Sequence, residues 1–259
     1  MPSPEPLSSP ALDRPVNPHA SAAELQARVD IAQLLESTPI PKDELPNNLA
    51  LYLRRDVLAD LLVMNELYLR ILDLPGVVME FGTRWGRHLA LLVVLRELYE
   101  PYDYTRKVVG FDTFLGFPDV HEKDGHYHEI YRGSMSVPNG YDRHLSDVLE
   151  THEKESLNAH FRRFEIMGGD ARETLPAYLS AYPETIVSLA YFDLDLYEPT
   201  KACLELIRPR LVPGSIVAFD EVAHRNFPGE TMALLDTLDL PKTSMQKLRF
   251  SSYPTFVTI

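Results

Sequence analysis

The amino-acid sequence predicts an α/β protein in which helices cover both faces of a doubly wound, parallel sheet. From residue 77 onward, short apolar runs alternate with amphipathic segments, which is the pattern of βα units. Several of these runs end in glycine, aspartate or glutamate, at the edge where such sheets bind ligands. Before residue 77, leucine-rich segments recur at helical spacing instead. The chain thus divides into a helical first part and a sheet-forming remainder.

The 259 residues are enough for one large domain with additional segments. Residues 1–20 contain six prolines and no apolar periodicity, so we expect a disordered leader. Residues 21–76 are predicted to form a helical N-terminal cap, and residues 77–259 the α/β domain.

The N-terminal cap is predicted to contain two helices. Ser21 and Glu24 have the spacing of a capping box, which predicts a helix over residues 21–36. Three prolines between residues 39 and 46 then interrupt the pattern. A leucine-rich run over 49–75 follows with largely helical spacing and predicts a second, long helix.

The predicted sheet has strands separated by helices. Strands are expected at Val77–Phe81, Lys107–Phe111, Phe164–Met167, Ile186–Phe192, Ser215–Phe219 and, as a pair of runs, Lys247–Ile259. Helices are expected at Arg87–Tyr99, Asp142–Asn158, Leu175–Ser180, Thr200–Arg210 and Glu230–Leu238.

Composition excludes several classes of function. A formal charge of −13 opposes binding to nucleic acid, because that affinity comes largely from Lys and Arg. No apolar run approaches the roughly 20 residues that span a bilayer, and the leader lacks the features of a signal peptide. We therefore expect a cytoplasmic protein without a membrane partner. The single cysteine, Cys203, is expected to be a small core residue.

The first strand ends in Glu80-Phe-Gly-Thr-Arg-Trp-Gly86, directly before a helix. Gly82 and Gly86 allow a tight turn that approaches a ligand, and the helix N-terminus favours a carboxylate group. The usual dinucleotide fingerprint is absent, and Glu80 could pair with an amine. A glycine turn with Glu80 bonded to backbone is the alternative.

The next two strands also end in acids. Asp112 lies about 30 residues after the glycine loop, where an acid accepts ribose hydroxyls in nucleotide-binding sheets. Asp170 follows the third strand and could accept from an adenine amino group. It could equally be the N-cap of the short helix that starts near Arg172.

Acids also end the fourth and fifth strands, at Asp193 and at Asp220 and Glu221. Neighbouring strands lie about 5 Å apart, so these three carboxylates can face one another and would repel without a cation between them. Oxygen ligands favour Mg²⁺ or Mn²⁺ over zinc. In the structural alternative, Asp195 and Glu221 bond to loop amides and Lys201.

Together these motifs resemble the macrocin-type (TylF-like) sugar O-methyltransferases. The matching stretches are Met79–Gly86, Val109–Pro118, Phe192–Thr200 and Val217–Glu221. The resemblance implies the class I methyltransferase type of Rossmann-like sheet, with S-adenosylmethionine and a divalent metal as cofactors. It also implies a sugar hydroxyl of a natural product as the methyl acceptor, a glycosylated small molecule.

By this resemblance, Asp193, Asp220 and Glu221 hold the metal, although the family often has Asp where this chain has Glu221. The cofactor is implied to contact Glu80, Gly82, Thr83, Arg84, Gly86, Asp112, Thr113 and Asp170. Asp193 could be ligand, catalytic base or both, and His224 and His144 are further base candidates because histidine titrates near neutral pH.

Other interpretations stay open at this stage. Asp193 and Asp195 form a short acid pair of the kind that holds a nucleotide sugar through Mn²⁺, which would suit a glycosyltransferase. A non-catalytic S-adenosylmethionine-binding subunit is a third interpretation. The segment 121–131, rich in His and Tyr, is either a lid over the acceptor or a surface loop. Surplus leucines in the N-terminal helices suggest a homo-oligomer.

Overall fold

A computed structural model describes residues 21–157, 159–251 and 253–259, so the predicted leader at 1–20 lies outside the described residues. Contacts divide the chain into two units, one ending at Leu58 and the other covering Ala59–Ile259. Each unit is described by itself. The domain boundaries drawn from the sequence stay a prediction.

Helix α1 (Ala22–Glu36) begins with the predicted capping box. The Ser21 hydroxyl accepts from the Glu24 amide at 3.2 Å, and the Glu24 carboxylate accepts from the Ser21 amide at 2.9 Å. Two otherwise unpaired amides of the first turn are thereby satisfied.

The long second helix predicted from residue 49 is wrong in its first part. The chain forms the short helix α2 (Leu45–Asn48) and a 3-10 turn, becomes extended at Leu53, and only then starts α3 (Arg55–Leu69). Asp56 stands in the first turn of α3, where an acid stabilises a helix start, and pairs with Arg54 at 2.7 Å. The helix therefore starts at Arg55, although the leucine periodicity continues through the break.

The second unit contains a seven-stranded sheet of order β3-β2-β1-β4-β5-β7-β6, which confirms the predicted fold class. The strands are β1 (Val77–Phe81), β2 (Val108–Asp112), β3 (Phe164–Gly168), β4 (Val187–Phe192), β5 (Leu211–Phe219), β6 (Met245–Lys247) and β7 (Thr255–Thr258). The first five strands run parallel, and the two C-terminal strands pair antiparallel.

Five helices connect these strands: α4 (Arg87–Tyr99), α5 (Tyr141–Lys154), α6 (Ala171–Ala181), α7 (Tyr197–Ile207) and α8 (Gly229–Thr237). Helix α6 starts earlier than predicted because Asp170 caps it. Helix α5 ends before the predicted Asn158, which lies outside the described residues. Among the described residues, none of the helices combines the length and apolar character that a membrane span requires.

Four phenylalanines form a continuous layer beneath the carboxyl ends of β2, β1, β4 and β5. Phe111 stacks on Phe81 at 4.9 Å between ring centroids, Phe81 on Phe192 at 4.7 Å, and Phe192 on Phe219 at 5.1 Å. All four are fully buried. They form one apolar row on the face of the sheet that packs against α6 and α7.

The residues that follow these phenylalanines continue the sheet's hydrogen bonds. The Gly82 amide donates to the Phe111 carbonyl at 2.9 Å, and the Asp193 amide donates to the Phe81 carbonyl at 2.7 Å. The Asp220 amide donates to the Phe192 carbonyl at 2.9 Å. The glycine loop and both acid-bearing loops therefore leave the sheet side by side.

Candidate functional site

The loop after β1 passes very close to the loop after β4. Gly82 has φ +92°, and a Cβ built on it would lie 1.8 Å from the Asp193 carbonyl oxygen. Gly86, with φ +76°, precedes α4, and a Cβ there would lie 2.2 Å from Leu145. Only glycine fits both positions, so the loop is a tight turn, as predicted.

Glu80 is almost completely buried at the end of β1. Burial raises the pKa of its carboxyl group, which the neighbouring His88 partly offsets. Its Oε2 atom and the Thr83 hydroxyl are buried and make no hydrogen bond of normal geometry among the described residues, although Thr83 is close enough to help His88 lower the Glu80 pKa. Buried polar atoms of this kind point to a ligand that would satisfy them.

His88 was not singled out from the sequence, yet it joins two carboxylates in the second unit. Its Nε2 lies 3.0 Å from both carboxylate oxygens of Asp60, and its Nδ1 lies 3.5 Å from Glu80 Oε1. Burial opposes a charge on the imidazole, but the two acids prevail and raise the pKa of His88 to about 10. His88 is thus a cation at neutral pH.

Asp112 ties the loop after β1 to the loop after β2. Its two carboxylate oxygens accept from the backbone amides of Arg84 and Phe114, each at 2.6 Å. Both donors have positive φ, 46° and 58°, which non-glycine residues rarely adopt. Burial raises the Asp112 pKa despite these bonds. Thr113 donates to the Gly116 carbonyl at 2.6 Å and shapes the same turn.

Asp170 serves as the N-cap of α6, the structural alternative considered from the sequence. It accepts from the Arg172 amide at 2.9 Å and from the Arg172 guanidinium at 2.6 Å. Burial opposes ionisation, but the Arg172 contacts prevail and lower the Asp170 pKa. An adenine contact stays a prediction.

Asp193 and Asp220 follow directly in register on the neighbouring strands β4 and β5. The buried Tyr191 hydroxyl donates to Asp220 Oδ1 at 2.9 Å, and its ring packs edge-on against His88 at 5.0 Å. Burial, and then the charges of Asp220 and Asp193, raise the Tyr191 pKa. Tyr191 therefore lies between His88 and the loops that carry Asp193 and Asp220.

The two histidines proposed as bases differ in their surroundings. His224 Nδ1 lies 2.9 Å from Glu221 Oε2, and burial lowers the His224 pKa although Asp220 acts in the opposite direction. His144 is exposed on α5, where its ring lies 5.6 Å from Tyr141. Only His224 stands among the acids that end β5.

The segment 121–131 is anchored to the helices beside the acid-bearing loops. The buried Asp124 accepts from the His121 amide at 2.7 Å and from the Tyr197 amide at 2.6 Å. The Tyr127 ring packs against Phe227 at 5.4 Å, beyond the end of β5. A lid role for this segment stays a prediction.

The predicted metal ligands lie at the ends of the neighbouring strands β4 and β5. Among the described residues, no group of three or more His, Cys, Asp or Glu side chains is gathered closely enough to hold a metal ion. The predicted three-carboxylate site of Asp193, Asp220 and Glu221 is therefore not preformed. Two neighbouring strand ends still carry oxygen donors that suit Mg²⁺.

Comparison with known proteins decides the family. A general methyltransferase-domain profile matches residues 79–222, which is more than half of the chain. The chain belongs to the methyltransferase-domain family. The matched region includes every predicted cofactor contact and all three predicted metal ligands, and it ends before α8.

This methyltransferase is similar to solved structures over most of its length. The crystal structure of CalS11, a calicheamicin methyltransferase, is 48% identical with a TM-score of 0.90, covering 93% of this chain and 94% of that one. The apo structure of CalS11, a TDP-rhamnose 3'-O-methyltransferase of calicheamicin biosynthesis, is 44% identical with a TM-score of 0.82, covering 93% and 96%. The O-methyltransferase NovP, at 19% identity and a TM-score of 0.59, shows the fold alone.

A curated relative from Streptomyces olivaceus is 29% identical over 160 residues, which is 58% of this chain. It is an 8-demethyl-8-(2,3-dimethoxy-alpha-L-rhamnosyl)-tetracenomycin-C 4'-O-methyltransferase. The match spans about half of that relative, 54% of its length. The predicted resemblance to sugar O-methyltransferases is confirmed by these matches.

Proposed function

We propose that this methyltransferase transfers the methyl group of S-adenosylmethionine to a hydroxyl of a rhamnose-type deoxysugar in natural-product biosynthesis. The observation that carries the proposal is the 48% identity to a calicheamicin methyltransferase over 93% of the chain. Both relatives whose names include a sugar act on rhamnose or a rhamnosyl group.

The donor side of the site fits S-adenosylmethionine. Glu80 Oε2 and the Thr83 hydroxyl are buried polar atoms that lack normal hydrogen bonds among the described residues, and the ammonium and hydroxyl groups of the donor would satisfy them. The Gly82 turn lets the backbone approach the donor, and Asp112 stands where a ribose is bound in related sheets.

A divalent cation on the acceptor side is part of the proposal. Mg²⁺ is often held by one or two carboxylates, with substrate and water oxygens completing its shell, so three protein ligands are unnecessary. Asp193 and Asp220 are the two carboxylates we assign to it, with Glu221 next to them. When bound, the cation would polarise the acceptor hydroxyl and ease its deprotonation.

The transfer itself is a direct displacement. The acceptor oxygen forms a bond to the methyl carbon while the carbon–sulfur bond breaks, which releases S-adenosylhomocysteine. We assign the proton to His224, because burial lowers its pKa and so favours the neutral imidazole that can accept a proton, and because its Nδ1 lies 2.9 Å from Glu221 Oε2 at the end of β5.

Calorimetry and a transfer assay test this proposal. We expect S-adenosylmethionine to bind with or without Mg²⁺, and methyl transfer to TDP-rhamnose to require a divalent cation and to stop in EDTA. Binding of TDP-rhamnose but not of S-adenosylmethionine would support the glycosyltransferase alternative, which family membership disfavours. Donor binding without transfer to any rhamnosyl acceptor would favour a non-catalytic subunit.

We also propose a homo-oligomer, because the first unit exposes several leucines. Leu25, Leu34, Leu49 and Leu51 are 44–68% exposed, and none of the residues of α1 is buried. Exposed apolar helices of this kind commonly bind another chain. Light scattering coupled to gel filtration checks the mass, and a monomer at micromolar concentration would contradict the proposal.

A further inference from the structure

The acid in the first turn of α8 has a different role from the one its position in the sequence suggests. An acid near a helix N-terminus is usually explained by the helix dipole or by capping. Glu230 is completely buried, and no side chain caps α8. Its carboxylate accepts hydrogen bonds from three backbone amides of two other loops instead.

These bonds join the two acid-bearing loops. Oε1 of Glu230 accepts from the amides of Leu194 at 3.0 Å and Asp195 at 3.4 Å, directly after Asp193. Oε2 accepts from the amide of Glu221 at 3.1 Å, directly after Asp220. One carboxylate therefore holds both sides of the gap between β4 and β5.

The residues on either side of Glu230 strengthen the same connection. The Thr231 hydroxyl accepts from the Ala223 amide at 2.9 Å and donates to the Glu221 carbonyl at 3.3 Å. A Cβ on Gly229 would lie 2.4 Å from the Asp195 carbonyl oxygen, so the helix start is inserted tightly against the β4 loop. Asp195 itself has φ +62°, a backbone conformation that needs external support.

An ionised carboxylate is electrostatically unfavourable at this buried position. It is buried next to Asp195, Asp193 and Asp220, whose charges oppose its own. A glutamine would avoid that repulsion, but its amide group offers only one acceptor atom. Because the donors lie on both oxygens, only a carboxylate of this length holds both loops.

We propose that Glu230 is a positioning residue that fixes the β4 and β5 loops relative to each other, and thereby the separation of Asp193 and Asp220. The proposal rests on the proposed function, which assigns to these two acids the cation that would bind the acceptor hydroxyl. A displacement of about 1 Å in such a site lowers turnover by as much as roughly 100-fold.

The test compares Glu230→Gln with Glu230→Asp, which keeps two acceptor oxygens on a shorter side chain. Glu205→Gln is the control, since this exposed acid lies on the neighbouring helix α7. Hydrogen exchange measures the loops directly and needs no substrate. We expect exchange in Glu230→Gln to rise about tenfold in peptides covering 193–196 and 220–223, and to stay unchanged in those covering 82–86.

With S-adenosylmethionine and TDP-rhamnose, we expect kcat of Glu230→Gln to fall roughly 10- to 100-fold, with the donor Kd within twofold. Glu230→Asp is expected to be intermediate, and the control unchanged. Unchanged exchange in both Glu230 variants, or a uniform rise over the whole chain, would overturn the proposal. If wild-type protein bound the donor but left TDP-rhamnose unmethylated, the acceptor assignment would fail while the exchange result still decided the role of Glu230.

Discussion

The two sides of the site balance charge in opposite ways. On the proposed donor side, the buried Glu80 lies 3.5 Å from His88, and the half-buried Asp60 lies 3.0 Å from His88 and 3.1 Å from Arg87. On the proposed acceptor side, burial and then the charges of Asp195, Asp193 and Asp220 raise the pKa of Glu230, so acids there lie close to other acids. The proposed donor side therefore contains its own cations. The proposed acceptor side is held by backbone hydrogen bonds, and a bound cation would reduce the repulsion between its acids.

This contrast predicts that removing an acid has different effects on the two sides. Asp193→Asn should lower kcat for methyl transfer by about 100-fold or more, because the acceptor side loses a cation ligand. The donor Kd should stay within about tenfold. Steady-state kinetics and calorimetry measure both quantities, with Glu205→Gln, an exposed acid on α7, as a control that keeps full activity. Full activity of Asp193→Asn would show that the metal assignment is wrong.

On the donor side, His88→Asn should affect binding and stability together. The substitution leaves the buried Glu80 without the His88 cation, which costs about 3 kcal/mol of unfolding free energy, whereas Asp60 keeps Arg87 at 3.1 Å. Glu80 is then held less firmly, and we expect the donor Kd to rise about tenfold. Urea unfolding and calorimetry are the measurements. His144→Asn, on exposed α5, is the control, and an equal loss there would contradict the comparison.

The same histidine predicts a pH dependence. Its folded pKa of about 10 lies above the unfolded value of about 6.5, so the folded state binds the extra proton in between. The His88 contribution is fully present below about pH 6.5 and is lost as pH rises toward 10. Unfolding free energies at pH 6.5 and 9.5 should differ more in wild type than in His88→Asn. If the two proteins showed equal differences in unfolding free energy, the protonation of His88 would not account for the pH dependence.

Tyr191 connects the two sides, and its removal should have the smallest effect. Tyr191→Phe keeps the ring against His88 but deletes the hydrogen bond to Asp220, which is worth about 1.5–3 kcal/mol when the acceptor is charged. We expect kcat to fall about five- to tenfold with an unchanged donor Kd. A change in donor Kd alone would place Tyr191 on the donor side instead.

The sequence predicted the features that depend on neighbouring residues in the chain. Each acidic strand end follows an apolar run, so the sheet order alone brought Asp193 next to Asp220. The role of His88 could not be predicted from the sequence, because its partner Asp60 lies 28 residues away in another helix. From the sequence, Glu230 is explained as an acid at a helix start, because its actual donors lie up to 36 residues away.

The error in the N-terminal helices has a similar cause. Leucine spacing continued through a break that Leu53 makes with extended backbone. Periodicity reports which face of a helix is apolar, whereas α3 starts only at Arg55, with Asp56 in its first turn paired to Arg54. The two segments share one leucine periodicity, and for that reason the sequence predicted a single helix.

The stacked layer of Phe81, Phe111, Phe192 and Phe219 has a consequence for how such an enzyme changes its regiochemistry. Close-packed rings resist deformation, so the points where the loops leave the sheet stay fixed when the loops themselves are exchanged. We expect acceptor choice to depend on the loops above this rigid layer, such as 121–131 and the turn after β5. Grafting these loops from a relative is then expected to move methylation to another hydroxyl while S-adenosylmethionine still binds.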